Sequence, residues 1–194
     1  EYYQRALEAD PKDARILGRY AKFLKNERKD VDGAEGYYQR ALEADPKNAT
    51  NLGNYAIFLT DVRKDADGAE DYFQRALEAD PKDARILGNY ANFLSDVRKD
   101  ADRAEEYYQR SLEADPKDAN NLGSYAVFLS DERKDADRAE GYFQRALEAD
   151  PNHAANLGNY ANFLIDVRKD ADRAEEYYQR ALEADPKNAT NLGN

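Results

Sequence analysis

An all-α solenoid of stacked antiparallel helical hairpins is the fold this sequence predicts, on three observations. Asp-Pro recurs at Asp10-Pro11, Asp45-Pro46, Asp80-Pro81, Asp115-Pro116, Asp150-Pro151 and Asp185-Pro186, a fixed period of 35 residues down the whole chain. A period of this length marks a repeat architecture rather than a single globular core. Each period holds two apolar runs at helical spacing, and a short polar stretch separates them. Because each unit of such a chain contacts only its neighbours, it offers a long surface and no deep enclosed cavity, which favours binding over catalysis.

Taken in order, residues 1–10 read as part of a second helix. Asp10 then reads as an N-cap with Pro11 at the first helical position, where a missing N–H is harmless. Leu17, Tyr20, Ala21 and Leu24 form the buried stripe of the first helix, flanked by Phe23, and the helix is expected to end near Asn26. Arg28-Lys29-Asp30 is a polar turn, after which Asp32 and Glu35 make the Asp-x-x-Glu pattern of a capping box. The second helix buries Ala34, Tyr37, Tyr38, Ala41 and Leu42 and turns Glu35, Gln39, Arg40 and Glu43 outward. The same reading gives five complete hairpins, 11–45, 46–80, 81–115, 116–150 and 151–185, with partial helices at 1–10 and 186–194, all in one array spanning 1–194. Partial helices at both ends predict apolar end faces, and a contact that repeats the internal stacking would join copies end to end.

The second helix resembles that of the tetratricopeptide repeat family in its small-x-x-x-aromatic-x-x-Ala pattern followed by proline, carried here by Ala34, Tyr38, Ala41 and Pro46. Counting from Pro11, Leu17, Tyr20, Ala21 and Leu24 fall on the family's first-helix positions, with Ala21 as the close-packing small residue and one extra residue in the inter-helix turn. Leu17-x-x-Tyr20-Ala21-x-Phe23 is also similar to half-a-TPR repeats. The resemblance covers the whole chain. It implies a right-handed superhelix whose concave face is lined by the first helices, and a role as a protein- or peptide-binding scaffold. The family's carboxylate clamp wants a lysine where this register places Gly18 and its copies, so the clamp does not carry over.

A helical wheel gives the groove face of the first helices. It carries Arg15, Arg19 and Lys22 in the first unit, Asn54 and Ile57 in the second, Arg85, Asn89 and Asn92 in the third, Ser124 and Val127 in the fourth, and Asn159 and Asn162 in the fifth. The basic stripe Arg15-Arg19-Lys22 would suit a carboxylate, or is a solvated face balanced by Asp13 and Glu27. The asparagines would suit the N–H and C=O groups of an extended peptide backbone, or simply solvate the groove. Ile57, Asn92, Val127 and Asn162 alternate in step with Phe73, Tyr108, Phe143 and Tyr178, which fits either spaced apolar anchors or a seventy-residue duplication. Asp61, Asp96, Asp131 and Asp166 form an acidic row at first-helix ends, where the helix dipole disfavours them. That row fits a basic ligand edge or hydrogen bonding into the Arg-Lys turn. Gly18 and its copies sit inside predicted helices at a cost of roughly 0.5–1 kcal/mol each, which close approach of a neighbouring helix or of a ligand backbone would offset.

Composition excludes much else. With 41% hydrophobic and 36% charged residues and a formal charge of −11, the chain reads as a soluble acidic protein. Cysteine is absent and His153 is the lone histidine, which rules out disulfides, Cys/His zinc sites and thiol catalysis. His153 takes a position held elsewhere by Asp13 and Asn48, and is expected to be exposed and without partners. No nucleophile–base pair, phosphate loop or ligand cluster is legible, so the reading is non-enzymatic, with no cofactor or metal. The expected partner is a protein or extended peptide. A self-associating structural rod is the alternative. Asn54, Asn89, Ser124 and Asn159 also resemble the base-reading positions of pentatricopeptide repeats, but the acidic charge argues against nucleic acid. No stretch is long enough to span a membrane, no targeting segment is visible, and the expected compartment is the cytoplasm.

Overall fold

The computed structural model describes residues 2–186, which hold eleven α-helices and no strand. The chain forms two compact units, Glu1–Phe93 and Leu94–Asn194. The first contains α1 (Tyr2–Ala9), α2 (Ala14–Phe23), α3 (Val31–Ala44), α4 (Ala49–Phe58), α5 (Ala66–Ala79) and α6 (Ala84–Phe93). In it α2 pairs with α3 and α4 with α5, while the first helices α2, α4 and α6 lie side by side. The second contains α7 (Ala101–Ala114), α8 (Ala119–Asp131), α9 (Ala136–Ala149), α10 (Ala154–Phe163) and α11 (Ala171–Ala184). Here α8 pairs with α9 and α10 with α11, and α8 lies beside α10. The fold is therefore the all-α stack of helical hairpins that the sequence predicts. The partial helix expected at 186–194 lies outside the described residues. Among the described residues no helix is long and apolar enough to cross a membrane.

Both helix starts differ from the sequence reading. The first helices begin at Ala14, Ala49, Ala119 and Ala154, and their N-caps are Asp13, Asn48, Asp118 and His153, three residues past the aspartate of each Asp-Pro pair. Asp13 Oδ1 accepts from the N–H groups of Arg15 and Ile16 at 2.8 and 3.1 Å. The Ile16 amide is the main reason the Asp13 carboxyl sits below its usual range, with Arg15 adding to the effect. The aspartate before each proline instead ends the preceding helix: proline pushes it to extended backbone (Asp45 φ −143°, ψ 91°), and its N–H closes the last helical turn. Its side chain then accepts from the residue after the proline, as Asp10 does from the Lys12 N–H at 3.1 Å.

The second helices start at Val31, Ala66, Ala101, Ala136 and Ala171, one residue after the caps Asp30, Asp65, Asp100, Asp135 and Asp170. The expected capping box of Asp32 and Glu35 is not formed. Both carboxylates reach forward to the next hairpin: Arg63 Nη2 donates to Asp32 at 2.7 Å, Arg63 Nε to Glu35 at 2.9 Å, and the Tyr55 hydroxyl to Glu35 at 3.2 Å. The second unit repeats this latch. Glu105 takes Arg133 Nε at 2.7 Å, Arg138 Nη2 at 3.0 Å and the Tyr125 hydroxyl at 3.1 Å. Burial alone would raise the pKa of Glu105, but hydrogen bonds from Arg138 and Tyr125 and the charge of Arg133 hold it below the ordinary carboxylate range.

The first helices also run past Asn26. Leu24–Arg28 forms a π-helical turn, with Lys29 at φ 56° and the Lys29 and Asp30 N–H groups both directed at the Leu24 carbonyl. The same turn recurs at Leu59–Arg63, Leu94–Arg98 and Leu164–Arg168, and all five copies of the lysine are left-handed (φ 56–60°). A left-handed residue closes the helix and reverses the chain. In these four repeats the widened turn takes up the extra residue, while α8 runs to Asp131 without such a turn.

The core is aromatic and layered. Ala21, Ala34 and Ala41 and most of their copies are fully buried, which lets helix backbones approach closely. In the first unit Tyr38 packs on Tyr55 and Phe58 of the next hairpin (ring centroids 5.7 and 5.5 Å), and Tyr55 meets Tyr72 edge-on at 4.7 Å. Phe58, Phe93, Phe128 and Phe163 are buried, so the residue read as merely flanking the stripe belongs to the core. Burial raises the Tyr38 hydroxyl to a pKa of about 12. One core position breaks the pattern: Ser111 stands where Ala41, Ala76 and Ala146 stand elsewhere, fully buried, and its hydroxyl has no hydrogen-bond partner among the described residues. Removing a buried unpaired hydroxyl recovers its desolvation cost. Ser111→Ala should therefore stabilise the chain by about 1 kcal/mol, read from the shift of its guanidinium unfolding midpoint.

Candidate functional site

The spacing of first helices fixes the site, and it depends on the glycines. A Cβ built at Gly18 would overlap Asn51 Oδ1, and one at Gly123 would overlap Asn156 Oδ1. Asn51 and Asn156 are buried, and their Nδ2 groups donate to the carbonyls of Ala14 and Ala119 at 2.8 Å. Each such amide bridges one first helix to the next. At Gly53 the facing side chain is Ile86, 3.2 Å from the built Cβ. These glycines are buried by neighbouring helices and are not open to a ligand backbone. Sequence reasoning missed the bridging asparagines. Their signal is the residue before each Leu-Gly, which is Asn51, Asn121, Asn156 and Asn191 in four copies and Ile16 and Ile86 in two.

The expected groove residues all lie on first helices, with differing surroundings. In the first unit Arg15, Arg19 and Lys22 are exposed on α2, and Arg15 is 3.6 Å from Asp13 of its own cap. Ile57, Asn89 and Asn92 are half-buried on α4 and α6, and Arg85 reaches Asn54 Oδ1 across the neighbouring helices at 3.5 Å. In the second unit Ser124 and Val127 are half-buried on α8, and Asn159 and Asn162 are exposed on α10. Asn162 Oδ1 accepts from the Tyr178 hydroxyl at 2.5 Å. The alternation seen in the sequence is thus a pairing inside the hairpin: Asn162 meets a hydroxyl where Val127 has the ring of Phe143 nearby. Burial, with the charge of Asp166, pushes the Tyr178 hydroxyl's pKa up.

Val127, Asn159 and Asn162 line one pocket of about 230 Å³ in the second unit. Phe143 of α9 and Phe163 of α10 supply its apolar surface, and Ser130, Asp131 and Asp166 its polar edge. The acidic row does not bond into the Arg-Lys turn. Asp61 pairs with Lys25 of the preceding hairpin at 3.5 Å, and the carboxylates of Asp131 and Asp166 make no ion pair or hydrogen bond among the described residues.

His153, expected to lack partners, has two. Its Nδ1 accepts from the Asn156 N–H at 3.3 Å, capping α10, and its Nε2 lies 3.0 Å from Asn120 Oδ1. It is a structural cap outside the pocket. Among the described residues no group of three or more His, Cys, Asp or Glu side chains is placed to hold a metal ion.

Comparison with known proteins agrees with this architecture. A tetratricopeptide repeat family model matches residues 1–49 and 63–119, more than half of the chain. A second model, the middle TPR-like domain of cilia and flagella-associated protein 70, matches residues 94–192. No curated protein matches the sequence. Among solved structures the chain is similar to YrrB, described as a TPR protein with an unusual peptide-binding site, at 23% identity and a TM-score of 0.60, with 99% of this chain and 96% of that one covered. It is also similar to PilF of Pseudomonas aeruginosa, at 21% identity and a TM-score of 0.76, covering 94% of this chain and 82% of that one. For TTC0263 of Thermus thermophilus the identity is 17% and the TM-score 0.76, with 92% and 94% covered. At these identities the structural likeness speaks to the fold, and the family models speak to descent. The chain belongs to the tetratricopeptide repeat family of protein-interaction scaffolds.

Proposed function

We propose that the chain binds an extended polypeptide along the face of its first helices and anchors one side chain in the pocket between α8 and α10. The observation that carries this reading is the pocket itself, where Val127, Asn159 and Asn162 meet the rings of Phe143 and Phe163. Its volume of about 230 Å³ lies below the roughly 300–1,000 Å³ of small-molecule sites. One large side chain fits that space. Asn159 and Asn162 at the rim offer amide donors and acceptors to the flanking peptide backbone, so affinity comes from main-chain hydrogen bonds and selectivity from the pocket. The description of YrrB as a peptide-binding TPR protein supports the same class of ligand.

The test is fluorescence anisotropy with a labelled library of extended dodecapeptides. A binder should lose at least tenfold in affinity with Val127→Glu, which fills and charges the pocket, and several-fold with Asn159→Ala. Affinity unchanged by both variants would sink the reading. Absence of any binder, together with concentration-dependent assembly in sedimentation, would replace it with end-to-end self-association.

A further inference from the structure

We infer that the pocket of the second unit takes the side chain of a lysine or arginine carried by the bound peptide, a proposal that rests on the peptide-binding reading and adds the ligand's chemistry. The chain holds its own precedent. In the first unit Lys25 Nζ lies 3.5 Å from Asp61 Oδ2, a contact from one hairpin to an aspartate 36 positions further on. The same step in the second unit runs from Ser130 to Asp166. Where the first unit has a lysine, the second has a side chain three heavy atoms shorter, and Ser130 and Asp166 both line the pocket. The pocket thus occupies the place of a lysine stem, and Asp166 is the carboxylate that such a lysine would meet.

Three further features match a cationic side chain. Asp131 stands with Asp166 at the rim, and neither carboxylate has a counter-charge among the described residues. Ser130 is 8% exposed and lines the pocket, and its hydroxyl makes no hydrogen bond among the described residues, so it can accept an N–H from a side chain that enters. Val127, Phe143 and Phe163 offer an apolar surface for the methylene stem, the usual way a long basic side chain buries its carbons and keeps its charge near a carboxylate. The formal charge of −11 adds attraction at longer range, weakening with salt. An acidic peptide meets the opposite field.

The experiment uses the full chain and four labelled peptides, identical dodecamers of alternating serine and valine with one central lysine, arginine, norleucine or glutamate. Lysine and arginine peptides should bind at least tenfold tighter than the norleucine peptide at low salt, and the glutamate peptide weakest. Asp131→Asn with Asp166→Asn should bring the lysine-to-norleucine ratio below about threefold. Ser130→Lys, which restores the first unit's arrangement, should close the pocket and weaken every peptide. Since position 130 is buried, circular dichroism checks its fold, and the aspartate variants stand as the independent arm. Equal binding of lysine and norleucine peptides, both lost with Val127→Glu, would overturn the cationic preference and leave the peptide site standing. No binding by any peptide would remove both. Dimerisation abolished by Ser130→Lys would assign the pocket to a basic side chain of a second copy and overturn a peptide ligand.

Discussion

Tyr160→Ala should lower stability by about 3–5 kcal/mol, the range for removing a fully buried large aromatic side chain. Tyr160 has 0% exposure and stacks on Phe143 at 5.4 Å, meets Phe163 at 6.1 Å and takes the edge of Tyr177 at 4.7 Å. It joins three helices across two hairpins, so no single neighbour can relax into the cavity. Its hydroxyl donates to Glu140 at 3.1 Å and accepts from Arg173 at 2.5 Å. Tyr160→Phe isolates that polar part and should cost about 1 kcal/mol. The two variants should also differ in acid. Burial alone would raise the pKa of Glu140, but hydrogen bonds from Tyr160 and Arg173 and the charge of Arg168 hold it below its ordinary value of 4.5. A carboxylate with a depressed folded pKa stabilises the fold at neutral pH, and that contribution fades as pH falls below about 4.5. Tyr160→Phe removes one of the causes, so its deficit against wild type should shrink in acid, while the cavity cost of Tyr160→Ala should persist. Guanidinium unfolding followed by circular dichroism at pH 7 and pH 3.5 tests this. Equal midpoints for the two variants would refute the division into ring and hydroxyl.

The repeat period and buried stripes were legible in the sequence because they are local and recur: Ala34, Tyr38 and Ala41 show their helical spacing inside one turn or two. The caps misled because two aspartates compete at each start. Asp30 wins over Asp32 since the left-handed Lys29 delivers the chain to Asp30 in a capping conformation, and its carboxylate accepts from the Gly33 N–H at 3.0 Å. Glu35 is drawn away by Arg63, 28 positions on, which no local window reveals. The site divided the same way. Val127, Asn159 and Asn162 follow from a helical wheel, whereas Phe143 of α9 belongs to the pocket only because the packed helices bring it there. The opening depends on what position 130 lacks relative to Lys25, and that is visible only once Lys25 is seen touching Asp61.

Two glycine-to-alanine changes in the second unit should move stability in opposite directions. Gly141 lies within α9 and a Cβ there meets nothing within 4 Å, so Gly141→Ala should stabilise by about 0.5–1 kcal/mol through lower backbone entropy in the unfolded chain. Gly123 lies within α8, and the same added carbon strikes Asn156 Oδ1. Asn156 is buried and holds the Ala119 carbonyl at 2.8 Å, so moving it leaves two buried polar groups poorly paired, at about 1–3 kcal/mol. That exceeds the helix-propensity gain, and Gly123→Ala should be net destabilising by about 1–2 kcal/mol. Combining it with Asn156→Ala makes room for the new methyl, so the double variant should be more stable than the sum of the singles by about 1 kcal/mol. Destabilisation by Gly123→Ala without such coupling would mean that the clash lies elsewhere. The change has a functional side as well. Gly123 and Asn156 set how closely α8 and α10 approach, and those two helices carry Val127, Asn159 and Asn162 at the pocket. On the proposed reading, spreading them loosens the grip on the bound side chain. Gly123→Ala should therefore weaken peptide binding several-fold, whereas Gly141→Ala, with its added carbon in open space, should leave the affinity unchanged.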